Sequence, residues 1–132
     1  MKHKNKLSAE YDKKAVLLYL GLFFGSLGVL SKIVYRPIIL DSQINDLGIH
    51  GFAPNLFAAL AACLVAAFFT RKSHIKTMIF VSCGILTYEI EQNWTSRAFD
   101  YRDITATVIG LVISIFIFNR YVKRKRIVGE KK

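Results

Sequence analysis

Phe52-Ala53-Pro54-Asn55-Leu56-Phe57-Ala58-Ala59-Leu60-Ala61-Ala62-Cys63-Leu64-Val65-Ala66-Ala67-Phe68-Phe69 decides the class of this chain. The stretch carries no charge, and as a helix it covers about 27 Å, close to a ~30 Å hydrocarbon core. A soluble protein disperses its apolar residues with helical or strand periodicity, and here they are gathered in blocks. Residues 16–35, 77–94 and 104–122 form three more such blocks. The expected fold is therefore all-α: one membrane domain over residues 1–132, a bundle of four transmembrane helices at 16–35, 52–69, 77–94 and 104–122. Basic segments at 1–14 and 123–132 flank it.

Composition agrees. Of 132 residues, 53% are hydrophobic, and the formal net charge is +10; mean hydropathy is +0.34. A charge of this size in a soluble protein points to nucleic acid. Here the basic residues sit at the chain ends and in one short turn, where they read as a topology signal and a contact with anionic lipid at the cytoplasmic face. Nucleic acid is set aside, because neither an aromatic-interleaved basic patch nor zinc-ligand spacing is present. Cys63 and Cys83 read as small apolar packing residues. His3, His50 and His74 are scattered, so neither a metal nor another cofactor is expected.

The first block follows a basic start, as a secretory signal would. It is long for a signal core and lacks a small-x-small cleavage pattern, so it reads as an uncleaved anchor, with Lys32 snorkelling to the interface. Residues 36–51 read as a connector in which Pro37 stops the first helix and Gly48 and Gly51 loosen the chain. Its isoleucines and leucines suit it to the membrane surface. Pro54 suits a first helical turn.

Fifteen of the nineteen Lys and Arg residues fall in residues 1–14, the turn 71–76 and the tail from Arg120 onward. Lys32, Arg36, Arg97 and Arg102 fall on the other side. An even number of spans unites the basic segments, which places both termini in the cytoplasm. Gly21 and Gly25, and Ala58, Ala62 and Ala66, recur every four residues, a spacing that lets helix backbones approach closely.

Five polar residues need explaining. Glu89 lies about 20 Å beyond Lys76 along a helix, still within hydrocarbon. An ionisable group there costs on the order of 3 kcal/mol, so it should be paired, protonated or facing a wet cavity. Gln92 shares its face. Arg97, Asp100 and Asp103 follow at intervals of three; wound helically, they would let Arg97 pair with Asp100, and Asp103 could cap the last helix. Thr107 and Gly110 continue that face. These residues can converge on an outward-facing polar pocket with His50, Arg36 or Asn55. The plainer account is a helix cap, a surface ion pair and a snorkelling glutamate.

The segment 89–110 resembles the signature of the VanZ-like family of small bacterial integral membrane proteins. Glu89 and Gln92 stand at the family's Glu-x-x-Gln, and Arg97, Asp100 and Asp103 at its Arg-x-x-Asp-x-x-Asp. Gly110 stands at a glycine beyond them. Thr107 departs from the usual Asn, and the turn before Arg97 is Thr95-Ser96 where the family has a proline. The resemblance implies a multi-pass protein of the bacterial cytoplasmic (inner) membrane and an envelope role, with glycopeptide (teicoplanin) susceptibility as the family's namesake trait. The expected pocket is Glu89, Gln92, Arg97, Asp100, Asp103 and Thr107, non-catalytic, taking a lipid or cell-wall precursor headgroup, with Arg97 on phosphate. Two other classes compete: a membrane enzyme acting on a lipid-linked phosphate through metal on Asp100 and Asp103, and a small transporter that uses Glu89 and must oligomerise. An accessory subunit is a further alternative.

Overall fold

The computed structural model describes residues 2–92 and 100–123, and the side chains of residues 14–91 and 100–122. Among them every regular element is helical. Helix α1 (Lys2–Leu30) continues through a widened π segment (Ser31–Tyr35) into α2 (Arg36–Ser42). Helices α3 (Ile49–Phe69), α4 (His74–Gln92) and α5 (Tyr101–Phe118) follow, and α5 ends in a second π segment, Asn119–Lys123. Three stretches are long and apolar enough to cross a membrane: Lys14–Ser42, Ile49–Phe69 and Tyr101–Val122.

Pro37 does not stop the first helix, contrary to the sequence expectation. A proline in a helix lacks one N–H and its ring presses on the carbonyl four residues back. The helix widens just ahead of it, with the Arg36 N–H donating to the Ser31 carbonyl, which relieves that contact. Proline then occupies the first turn of α2. The first apolar span is therefore 29 residues long, about 43 Å as a helix, so a tilt or an overhang is built in. Only residues 43–48 of the expected connector are non-helical, and Gln43 ends α2 in the left-handed region at φ 53°. Pro54 likewise lies inside α3 rather than in its first turn.

Helix α3 is central, and α1, α4 and α5 all pack against it. Small residues set these crossings. A Cβ on Gly21 would lie 2.7 Å from Val65 Cγ2, and one on Gly25 would lie 3.6 Å from Ala61 Cβ. On the other flank, a Cβ on Gly110 would lie 3.0 Å from Ala59 Cβ and 3.1 Å from the Leu56 carbonyl. Backbone approach of this kind is how helices associate without a hydrophobic driving force. The alanines in these contacts are Ala59 and Ala61, and a Cβ on Gly28 would lie 3.5 Å from the Ala58 backbone nitrogen.

Large apolar side chains are mostly outside. Phe80 is 79% exposed, Phe69 72% and Phe116 69%, whereas the buried core is a short column of Leu17, Leu60, Cys63, Leu64, Ala67, Met78 and Phe118. Such a surface suits hydrocarbon and would be an aggregation liability in water. Cys63 packs inside as expected. Cys83 does not: it is exposed on the outer face of α4, and the two thiols are free.

Candidate functional site

The elements bring the C-terminal end of α4, the first turns of α3 and α5, and the start of α2 to one end of the bundle. The far end holds the turn at 70–73, where the His74 ring lies 4.9 Å from that of Phe118 and Nδ1 donates to the Ala67 carbonyl at 2.9 Å.

At the first end, Glu89 on α4 is 9% exposed. It lies near enough to Asp103 of α5 for the two charges to interact. Asp103 in turn lies within hydrogen-bonding reach of the Asn55 side chain on α3 and feels the charges of Asp100 and Arg36. Two carboxylates, an amide and a guanidinium from four elements thus gather where the apolar spans end. Like charges repel, and a cationic group beside them offsets that.

Asp103 does not cap α5. Asp100 does: its backbone is extended (φ −122°, ψ 118°), and its Oδ1 accepts the Arg102 N–H at 2.9 Å. An N-cap must stand outside helical geometry while its carboxylate reaches two residues forward, and Asp100 meets both conditions. Asp103 sits one turn in, where an acidic residue still favours the helix dipole. The extended Asp100 also means that 100 stands outside the helix that carries 103.

Thr107 is fully buried, and its hydroxyl donates to the Asp103 carbonyl at 3.0 Å. It belongs to the α5 interior rather than to a pocket lining. Gln92 closes α4 with its backbone, and its side chain lies outside the described residues. Arg97, with its expected pairing to Asp100, also lies outside them.

Asp46 was not singled out by the sequence and organises the neighbouring loop. Its Oδ1 accepts the Gly48 N–H at 3.1 Å, and its Oδ2 accepts the His50 N–H at 2.7 Å and the Tyr35 hydroxyl at 3.2 Å. His50 Nδ1 lies 2.7 Å from Oδ1. Partial burial works to raise the Asp46 pKa. The hydrogen bonds from the His50 ring and backbone, then Gly48 and Tyr35, outweigh it and hold the carboxyl at about 2. His50 is thereby tied to Asp46 and not to the Glu89–Asp103 pair. Gly48, at φ 84°, begins α3 in a conformation that favours glycine. A Ser or Asp ahead of a helix is a usual cap signal; here Asp46 was obscured by Asn45 and by two residues intervening before the helix.

A second polar cluster lies deeper, between α3, α4 and α5. The Cys63 sulfur is 3.2 Å from the Ser82 hydroxyl, with Ser114 beside it, and the Ser114 hydroxyl donates to the Gly110 carbonyl at 2.7 Å. Each hydroxyl is satisfied within the bundle, so this cluster joins helices.

Comparison of the chain with family models, with curated proteins and with solved structures finds no significant match.

Proposed function

We propose that this chain is a VanZ-like, non-enzymatic protein of the bacterial cytoplasmic membrane with four spans, both termini in the cytoplasm, and an outward-facing polar site for a lipid or cell-wall precursor headgroup. The observation that carries the reading is the meeting of Glu89, Asp103, Asn55 and Arg36 from α4, α5, α3 and α2 at one end of the bundle. Ionisable groups at the edge of hydrocarbon, drawn from separate elements, are costly unless they serve a ligand or one another. That end is also the one poor in Lys and Arg, which puts it outside.

Helix α4 serves as the fourth span. It falls outside the three strongly apolar stretches because Lys76, Glu89 and Glu91 lie on it. Lys76 stands in its first turn, from which it snorkels, and Glu89 faces α5 instead of lipid. The resemblance of residues 89–110 to the VanZ-like signature supports an envelope role and makes glycopeptide susceptibility the phenotype to examine.

The test expresses the native chain, Glu89→Ala, Asp103→Asn and an empty vector at matched membrane levels in a glycopeptide-sensitive Gram-positive host. The reading expects the native chain to lower teicoplanin susceptibility and each substitution to abolish the effect. Equal susceptibility in all four strains, with the protein present and folded, removes the resistance role.

A further inference from the structure

We propose that Arg102 recognises the phosphate of a membrane lipid and that Gly48 provides its seat. The inference rests on the headgroup-site reading above and names both the chemistry and the residue.

Arg102 is the second residue of α5, at the boundary of the apolar stretch Tyr101–Val122, and its side chain is exposed. Its guanidinium lies directly over Gly48. A Cβ at position 48 would overlap Nη1 and lie 2.9 Å from Cζ. The φ of 84° favours glycine here, and any side chain at this position would have to displace the guanidinium tip.

Among the described residues, the Arg102 guanidinium makes neither an ion pair nor a side-chain hydrogen bond. The nearby carboxylates are otherwise engaged: Asp100 accepts the Arg102 backbone N–H, and Asp46 is taken by His50, Gly48 and Tyr35. A planar fork of N–H donors, lying over the Gly48 backbone and without a carboxylate partner among the described residues, matches a phosphate in shape and charge. Arg36 adds a second exposed guanidinium at the same end, near Asp103.

The surroundings favour a lipid over free phosphate. Leu47 is 83% exposed and Ile49 51%, on either side of Gly48, and Tyr101 beside Arg102 is 69% exposed. A phosphate docked on Arg102 would place its acyl chains along this apolar rim.

The test uses the purified full chain in a neutral maltoside detergent and measures retained lipid by native mass spectrometry. The probes are phosphatidylglycerol, a diacylglycerol with the same chains, and inorganic phosphate as competitor. The native chain is expected to retain phosphatidylglycerol and not diacylglycerol. Arg102→Gln should weaken that retention about tenfold, the loss of one charge-assisted contact. Arg102→Lys should fall between the two, and Gly48→Ala, which pushes the guanidinium off its seat, should also weaken it. Unchanged retention by Arg102→Gln overturns the assignment of Arg102 while leaving the headgroup site standing. Equal retention of both lipids by the native chain defeats the headgroup reading itself. Displacement by inorganic phosphate at the lipid's own concentration assigns the site to free phosphate and overturns the lipid as its source.

Discussion

His50 holds Asp46 twice: its backbone N–H donates to Oδ2 at 2.7 Å, and its ring Nδ1 lies 2.7 Å from Oδ1. With the Gly48 N–H and the Tyr35 hydroxyl on the same carboxylate, one side chain ties the end of the first helix to the start of the third.

That arrangement makes the start of α3 sensitive to acid. The folded Asp46 pKa is depressed from the ordinary 3.8 to about 2, so its contribution is fully present above pH 3.8 and disappears as pH falls through about 2. Thermal unfolding in detergent should show a midpoint that drops over this window in the native chain. Asp46→Asn should be less stable at neutral pH and should lack that acid-dependent step. A native and a variant curve falling in parallel through the window would remove Asp46 as the cause.

The glycines divide by the space around them. Gly21→Val and Gly110→Val force a side chain into α3, where a Cβ alone already lies 2.7 Å from Val65 Cγ2 and 3.0 Å from Ala59 Cβ. Each should cost about 1–3 kcal/mol by overpacking. Gly84 has open space around it on α4, so Gly84→Ala should stabilise by about 0.5–1 kcal/mol through helix propensity. Detergent unfolding midpoints check the contrast, and equal effects at Gly84 and Gly110 would contradict the crossing geometry.

The two cysteines should differ in reactivity. Cys63 is fully buried against Ser82, whereas Cys83 faces outward. N-ethylmaleimide in detergent should modify Cys83 readily and Cys63 only after unfolding, as read by mass spectrometry of Cys63→Ala and Cys83→Ala variants. Ser82→Ala should cost about 0.6 kcal/mol, the usual worth of an interhelical hydrogen bond in a membrane. Rapid labelling of Cys63 would contradict the α3–α4 packing.

The helical class was legible because uncharged blocks as long as 52–69 leave few alternatives. Helix ends were less so. Pro37 reads locally as a stop, and the π segment that accommodates it has no sequence signature. The cysteines look alike in sequence, since both sit in apolar blocks; only the rotation of α4 against α3 separates inside from outside. The close approaches are spread over several sides of α3, so the four-residue row 58, 62, 66 describes only part of them. At the polar end, Glu89 stood out by its depth, and Asn55 and Arg36 were candidates by type. Asp46 was missed because its partners Tyr35 and His50 belong to two different helices, and the cap fell to Asp100 rather than Asp103 because a cap depends on one backbone dihedral pair.

The most direct measurement is sidedness of the polar end. Single cysteines at Asn45 and at Lys72, each in a Cys63→Ala, Cys83→Ala background, are treated with a membrane-impermeant maleimide in intact cells and after permeabilisation. Labelling at position 45 in intact cells, and at position 72 only after permeabilisation, is the result this account predicts. Labelling at 72 and protection at 45 in intact cells would place Glu89, Asp103 and Arg102 inside and contradict an outward headgroup site.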